Sequence, residues 1–275
     1  MEKLQNAIKN AREKRDTEAK AAPPSPPPSV DTPQADRSRS HGGWATLTPL
    51  TLDQRVLTRN RVVTMTAGQA ATSFDILRTK VLLQMREKGW TRLAITSPQP
   101  SCGKTTVACN LALGMTRQPD LSAMLFDLDL RRPGVAHTLG YTPQHDICDV
   151  LDGMVDFDSQ AMRVGDNLAI SMARTSNPDP TSLLLDKSTT EQFDEIEAAY
   201  RPDLMIFDLP PLLTGDDTRA FLKNVDCTLL ILRAEDSKSS QIDTCEKEIA
   251  KYTNVLGMVL NSCRFPDETQ GYGYY

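Results

Sequence analysis

The sequence predicts an α/β fold in which a mainly parallel sheet lies between two layers of helices. Three observations indicate this fold. Several segments of strand length are apolar throughout, segments with helical periodicity separate them, and glycine-containing or charged sequences follow directly after the strands. Strands that are apolar throughout must be covered on both faces, as parallel strands joined by helices are. Ligands of such sheets bind at the carboxyl ends of the strands.

The predicted elements alternate along the chain. A helix with an apolar face is predicted over 73–88, the strand TRLAITS (91–97) follows it, and a second helix begins at Lys104. The remaining strands are predicted at 122–129, 204–209, 227–234 and 254–261, with helical segments around 181–199, 217–224 and 237–252. This alternation predicts one domain of about 200 residues.

The two ends of the chain differ in composition from its middle. The first twenty residues predict a short amphipathic helix, which either frays in solvent or docks on a partner or membrane surface. Its apolar stripe consists of Leu4, Ala7, Ile8 and Ala11. The next segment is rich in proline and nearly free of large apolar side chains, so we expect a disordered spacer. The predicted organisation is a helix over 1–20, a spacer over 21–43, a folded domain over 44–264 and a flexible tyrosine-rich tail over 265–275.

Composition and charge exclude several classes of protein. The chain has 275 residues, with 31 Lys+Arg against 36 Asp+Glu and a net charge of −5, which argues against a protein that coats nucleic acid. No stretch approaches the roughly 18 apolar residues that cross a bilayer, and no signal peptide is recognisable. We therefore expect a cytoplasmic protein. The six cysteines form no CxxC pair, so we expect reduced thiols rather than a zinc site.

Residues 95–106, ITSPQPSCGKTT, have the pattern of a nucleotide phosphate-binding loop. A strand ends, a tight loop turns its backbone N–H groups toward one point, and the N-terminus of a helix adds its dipole. Lys104 is expected to reach the β and γ phosphates, and Thr105 to offer its hydroxyl to magnesium. The predicted nucleotide-binding residues of the loop are Ser101, Cys102, Gly103, Lys104, Thr105 and Thr106.

This loop departs from the G-x-x-x-x-G-K-S/T pattern at two positions. Pro98 and Ser101 stand where the pattern or many related loops have glycine. We expect the thiol of Cys102 to fill space rather than to react. Together with the predicted sheet, the loop indicates a three-layer P-loop NTPase fold.

Two further motifs place carboxylates at strand ends. The segment MLFDLDLRRP carries Asp127 and Asp129, which alternate and so point to the same side of an extended chain. The segment DLMIFDLPP ends a strand in Asp208, from which a carboxylate can hold magnesium through water. The predicted metal site is Thr105, Asp127 and Asp208. As isolated residues these acids would be solvated strand ends or helix caps, but three motifs in this order favour catalysis.

These motifs together resemble the cytoplasmic kinase module of the bacterial tyrosine kinases (BY-kinases) that govern capsule and exopolysaccharide synthesis. The resemblance covers about residues 45–275 and rests on SPQPSCGKTTVACNLAL, FDLDLRRP, FDLPP with Asp217 after it, GMVLN and the tail GYGYY. It implies ATP and Mg²⁺ as cofactors and phosphorylation of the tail between subunits. The phosphoacceptors would be Tyr272, Tyr274 and Tyr275, and the catalytic residues Lys104, Asp127, Asp129 and Asp208.

The resemblance also suggests roles for other residues. Asp127 or Asp129 would either be the base that accepts the phenol proton or bind the metal. Asn261, which follows the last predicted strand, would contact the base of the nucleotide, although an asparagine there is equally typical of a turn. The choice of ATP over GTP rests on the resemblance alone.

The sequence also leads to expectations about assembly and location. Members of the family often carry E-x-x-R-x-x-R in the helix before the sheet, and this motif mediates ring assembly. Here Thr72 and Asp75 occupy the first two positions and only Arg78 remains, so a ring is in doubt while self-association for phosphorylation between subunits is expected. Some members fuse a membrane-spanning half to the kinase. We expect a separate membrane-bound polysaccharide co-polymerase or activator as partner, docking through the N-terminal helix and recruiting the chain indirectly to the inner face of the plasma membrane.

The leading hypothesis is therefore an ATP-dependent protein-tyrosine autokinase that regulates polysaccharide polymerisation and export. One alternative is a positioning ATPase of the plasmid-partition or septum-placement kind, which shares the fold. Those proteins carry a signature lysine early in the loop, where this chain has Gln99. Another alternative is a nucleotide-binding pseudokinase scaffold, suggested by the two departures in the loop.

Overall fold

The computed structural model describes residues 42–263. The helices are α1 (Gly42–Thr46), α2 (Gln54–Arg59), α3 (Thr72–Lys88), α4 (Lys104–Met115), α5 (Val135–Leu139), α6 (Ile147–Leu151), α7 (Phe157–Gln160), α8 (Pro180–Leu185), α9 (Lys187–Tyr200), α10 (Asp217–Phe221) and α11 (Ser239–Ile249). The strands are β1 (Thr48–Pro49), β2 (Arg92–Thr96), β3 (Ala123–Asp127), β4 (Met162–Val164), β5 (Leu168–Ser171), β6 (Leu204–Asp208), β7 (Cys227–Arg233) and β8 (Asn254–Asn261). Short 3₁₀ turns lie at Gln69–Ala71 and Leu222–Asn224.

Within the described residues, the strands form one sheet in the order β1-β4-β5-β3-β6-β2-β7-β8. All neighbouring pairs from β5 to β8 are parallel, which confirms the mainly parallel sheet. The other edge is mixed, because β4 and β5 form an antiparallel hairpin and β1 pairs with β4. Gly165 allows the hairpin turn with a left-handed φ of 63°. Sequence analysis missed these three strands because they have only two to four residues each.

Alternate residues of the central strands pack on opposite faces of the sheet. Leu125 belongs to the core cluster beneath α3 and α4, and its neighbour Phe126 belongs to the second cluster beneath α9 and α10. Phe126 and Phe207 stack with ring centroids 5.1 Å apart, and Phe193 of α9 meets both rings edge-on. Replacing one such buried phenylalanine by alanine costs about 3–5 kcal/mol. The two clusters confirm the three-layer architecture and hold rigid the strands that carry the carboxylates.

The domain begins slightly earlier than the sequence predicts. Helix α1 starts at Gly42, inside the predicted spacer, rather than at Trp44. The Trp44 indole N–H donates a 3.0 Å hydrogen bond to the Tyr200 carbonyl oxygen and is buried. A Cβ on Gly43 would lie 3.2 Å from the Tyr200 ring, so the glycine permits this close packing. The predicted helix over 1–20, nearly all of the spacer and the tail over 265–275 lie outside the described residues.

Arg78 is engaged inside the domain. Its Nη1 donates 2.9 Å hydrogen bonds to the Gly114 carbonyl oxygen of α4 and to Asp75 Oδ1. Arg117 also binds the Asp75 carboxylate, so the acid that replaces an arginine of the assembly motif anchors two cations within the subunit. Burial lowers the pKa of the Arg78 guanidinium and outweighs Asp75.

The described residues also bear on membrane crossing and on the cysteines. No helix in residues 42–263 combines the length and the apolar character needed to cross a bilayer. All six cysteines are free thiols, and Cys102 is buried in the core, as the space-filling interpretation predicts.

Candidate active site

The loop between β2 and α4 adopts two left-handed backbone conformations. Ser101 has φ 65° and Gly103 has φ 88°. The left-handed region explains why related loops place glycine at the position of Ser101, since a side chain there costs roughly 1–2 kcal/mol. The helix that follows begins at Lys104, as predicted.

Side chains of strands β7 and β8 bind the backbone carbonyl groups of Ser101 and Cys102 in this loop. Asn261 Nδ2 donates a 2.9 Å hydrogen bond to the Cys102 carbonyl oxygen, and Arg233 Nη1 donates one of 3.2 Å to that of Ser101. Arg233 and Asn261 are direct neighbours in the β7–β8 register. The Asn261 side chain therefore contacts the loop itself, a role that neither of the two sequence interpretations proposed.

Pro98 lies near the start of the loop, where backbone carbonyl groups accept hydrogen bonds from the segment after β6. The residue is buried, and its carbonyl oxygen accepts a 3.3 Å hydrogen bond from the Leu213 N–H. The preceding carbonyl, of Ser97, accepts one of 2.8 Å from the Leu212 N–H. The segment after β6 thus fastens the start of the loop through carbonyl groups, which proline retains.

Lys104 points at the carboxylates. Its Nζ lies 2.6 Å from Asp129 Oδ2, and both side chains are nearly buried. Burial lowers the pKa of Lys104, but Asp208, Asp129 and Asp127 together outweigh it and raise the pKa above its usual value. The ammonium group is therefore charged at neutral pH and can exchange Asp129 for a phosphate oxygen.

Asp127 and Asp208 lie side by side at the ends of β3 and β6, where they are register partners. Asp127 Oδ2 accepts hydrogen bonds of 3.1 and 2.9 Å from the N–H groups of Gly134 and Val135. Burial raises the pKa of Asp127 well above its usual value, and the charge of Asp208 raises it further. Burial likewise raises the pKa of Asp208 and outweighs the opposing effects of Lys104 and Thr105.

Three oxygens of this pair lack a partner. Asp127 Oδ1 and both carboxylate oxygens of Asp208 are buried and accept no hydrogen bond from the described residues. The Thr105 hydroxyl is close enough to lower the pKa of Asp208, but its geometry falls short of a hydrogen bond. Buried oxygens without partners demand an explanation, and a cation is one.

These residues fit a magnesium ion that is shared with phosphates. No cluster of three or more His, Cys, Asp or Glu side chains within residues 42–263 is arranged to hold a metal by itself. Magnesium does not need such a cage, because it keeps waters and phosphate oxygens and takes only one or two protein oxygens. The Thr105 hydroxyl lies near the Asp208 carboxylate, and Asp208 is the register partner of Asp127. The metal site of Thr105, Asp127 and Asp208 stays a prediction. The donor set is hard oxygen throughout, as magnesium prefers.

A bidentate ion pair closes one side of the site, and sequence analysis assigned it no role. Arg131 Nε and Nη2 lie 2.6 and 3.0 Å from the two carboxylate oxygens of Asp217. The Thr181 hydroxyl of α8 also donates to Asp217. Burial raises the pKa of Asp217, but the bonds from Arg131 and Thr181 outweigh it and hold the pKa below its usual value. The pair joins FDLDLRRP to the segment after FDLPP across 86 residues.

A cavity of about 350 Å³ opens beside Lys104. Its wall includes Ser101, Asp129, Arg132 and the two prolines of FDLPP. Of the predicted nucleotide-binding residues, Thr106 lies on α4 and its carbonyl oxygen accepts a 2.9 Å hydrogen bond from Asn110 Nδ2. The predicted phosphoacceptors Tyr272, Tyr274 and Tyr275 lie outside the described residues.

Comparisons with known proteins agree with this geometry. The tyrosine-protein kinase YwqD of Bacillus subtilis is 27% identical over 222 residues, which cover 79% of this chain and 92% of YwqD. The tyrosine-protein kinase wzc of Salmonella typhimurium is 29% identical over 204 residues, 72% of this chain. The solved kinase domain of Escherichia coli tyrosine kinase ETK is 26% identical with a TM-score of 0.65, and the match covers 76% of this chain and 82% of that domain. No family model matches.

The relatives differ in length. The match spans nearly all of YwqD but only 28% of wzc, so the larger relatives carry much that has no counterpart in this chain. By sequence and by fold, the chain is therefore similar to bacterial tyrosine kinases, the family that its motifs resemble.

Proposed function

We propose that this chain is an ATP-dependent protein-tyrosine kinase that phosphorylates its own C-terminal tyrosine cluster. The observation that carries the proposal is the convergence of Lys104 with three buried carboxylates at the carboxyl ends of β3 and β6. The kinase names of its relatives support this assignment of the site. Tyr272, Tyr274 and Tyr275 are the acceptors.

Each residue of the site would have a separate role in phosphoryl transfer. The loop N–H groups and Lys104 bind the β and γ phosphates. A magnesium ion held near Thr105, Asp127 and Asp208 would neutralise charge on those phosphates. The tyrosine oxygen bonds to the γ phosphorus as the bond to the β–γ bridging oxygen breaks, ADP leaves, and the phenol proton passes to a carboxylate. Asp129 is the candidate acceptor of that proton, because it lies at the cavity beside Lys104.

The biological setting follows from the resemblance and is part of the proposal. Phosphorylation of the tail regulates polymerisation and export of an exopolysaccharide or capsule. The partner is a membrane-bound polysaccharide co-polymerase, which recruits the chain to the cytoplasmic face of the membrane. Self-association brings one tail to another subunit's site, and added phosphates repel packed tails.

Neither alternative function is favoured by the comparisons. A positioning ATPase would need the early loop lysine, and Gln99 stands there. A pseudokinase would be expected to have lost site residues, whereas Lys104, Thr105 and the three aspartates are all present and brought together.

Transfer of label from ATP tests the proposal. The purified chain is incubated with γ-labelled ATP, magnesium and a fragment of the membrane partner, and phosphotyrosine is measured. We expect label on the tail, and its loss when Tyr272, Tyr274 and Tyr275 are all changed to Phe. Release of phosphate into water without any phosphotyrosine would instead indicate an ATPase.

A further inference from the structure

The charges around the cavity beside Lys104 do not balance. Lys104 is neutralised by Asp129 at 2.6 Å, and Arg131 is neutralised by Asp217 through two contacts. Arg132, the remaining charged residue of the wall, is exposed, and no carboxylate of residues 42–263 lies within ion-pair distance of it. Among the charged side chains of the wall, Arg132 is therefore the cation that has no carboxylate partner in residues 42–263, whereas Asp127 and Asp208 act on Lys104.

Arg132 is held close to the reacting groups by its backbone. Its N–H group donates to the Asp129 carbonyl oxygen at 2.9 Å and lies 3.3 Å from Asp129 Oδ1. The guanidinium can therefore be at most one side-chain length from the carboxylate at which the phenol would be deprotonated. A group bound by Arg132 would therefore lie close to the tyrosine that approaches Asp129.

Two prolines give the cavity wall an apolar and fixed part. Pro210 and Pro211 line the cavity, and the Pro210 carbonyl oxygen accepts hydrogen bonds from the hydroxyls of Thr96 and Thr218 at 2.7 and 2.6 Å. Proline rings offer a rigid apolar surface against which a flat aromatic side chain loses little conformational entropy on packing. The cavity thus combines an apolar wall for a ring with a free cation for an anionic group nearby.

From these features we propose that Arg132 binds carboxylates that flank the acceptor tyrosine, so that the preferred substrates are acidic tyrosine-bearing peptides. This inference rests on the proposed kinase function. The chain's own C-terminal segment has this chemistry: Asp267 and Glu268 precede Tyr272 by five and four residues, and no Lys or Arg follows Arg264. Four extended residues span at most about 14 Å, a distance that two side chains can bridge.

Peptide kinetics test the role of Arg132. The full chain with its three tail tyrosines changed to Phe phosphorylates three peptides: residues 264–275 as they stand, the same peptide with Asp267→Asn and Glu268→Gln, and the same peptide with both acids changed to Lys. We expect the KM to rise roughly three- to fivefold from the first peptide to the second, as for an ion pair at an exposed site. Arg132→Gln should remove this difference, and Arg132→Glu should reverse the preference toward the lysine peptide.

A matched control and a second measurement separate the possible outcomes. Arg86→Glu changes the same charge at an exposed position on α3 and should keep the preference for the acidic peptide. Equal KM values for all three peptides would overturn the proposal, and so would the same loss of preference in Arg86→Glu. The proposal also fails if Arg132→Glu changes the KM for ATP but leaves the KM values for the peptides unchanged. Binding of fluorescent peptides, measured by anisotropy, reports the charge preference even without transfer. Charge-dependent binding without phosphotyrosine would contradict the kinase function while supporting the role of Arg132.

Discussion

Changing Gly103 to alanine should weaken nucleotide binding through two separable effects. At φ 88° a side chain is strained by roughly 1–2 kcal/mol. The new Cβ would also lie 2.2 Å from Asn261 Nδ2, so that amide must move and release its hydrogen bond to Cys102, at about 1 kcal/mol. Nucleotide binding must then restore the loop conformation against both the strain and the lost hydrogen bond. Together these cost about 2–3 kcal/mol, which corresponds to a roughly 30- to 150-fold weaker Kd.

Titration with a fluorescent ATP analogue and magnesium measures this effect. In an Asn261→Ala background the hydrogen bond is already absent, so Gly103→Ala should cost only the strain, a further loss of about 5- to 30-fold. Gly89→Ala is the matched control, because Gly89 has φ 69° but no atom within 4 Å of its Cβ position. It should lower the free energy of unfolding by about 1–2 kcal/mol and leave the Kd unchanged.

The reasoning is refuted if Gly103→Ala binds the analogue as tightly as the unaltered chain. It is also refuted if the substitution has the same effect with and without Asn261. That result would mean that the Asn261 amide does not support the loop.

Three further substitutions probe the loop, the ion pair and the metal site. Ser101→Gly should relieve the left-handed strain at φ 65° and, after the entropy cost of glycine, raise the free energy of unfolding by up to about 1 kcal/mol in urea titrations. Asp217→Asn should lower stability by about 1 kcal/mol at pH 7, a small value because Arg131 is half exposed. The folded-state pKa of Asp217 lies below its usual value, so this contribution is present above about pH 4 and is lost as the pH falls through the lowered pKa. In acid the unaltered and the Asp217→Asn chains should therefore have the same free energy of unfolding. Asp208→Asn should raise the thermal midpoint of the ligand-free protein, because it removes a buried charge whose oxygens lack partners, and should abolish the dependence of nucleotide binding on magnesium.

Much of the fold and the site could be predicted because the signals are local. The apolar runs before Asp127 and Asp208 are continuous in sequence, so both the strands and the carboxylates at their ends followed from adjacent residues. The loop and the start of α4 at Lys104 are equally local. The hairpin of β4 and β5 was missed because strands this short carry too few residues to show a period.

Contacts between distant segments could not be predicted in the same way. Arg131 and Asp217 are 86 residues apart, and Asn261 meets the loop carbonyl 159 residues before it. Nothing near Asn261 in sequence distinguishes a base contact, a turn or a support for the loop. The only sequence signal for the left-handed φ of Ser101 is that related loops have glycine at that position. The pairing of Arg131, which leaves Arg132 free, became visible only in three dimensions.

Phosphotyrosine mapping in a mixed reaction shows directly whether one chain phosphorylates the tail of another. A Lys104→Met chain with an intact tail is incubated with magnesium, ATP and a chain that keeps Lys104 but has Phe at its three tail tyrosines. We expect phosphate at Tyr272, Tyr274 or Tyr275 of the Lys104→Met chain, and none when both chains carry Lys104→Met. Consumption of ATP with no phosphotyrosine on either chain would contradict it.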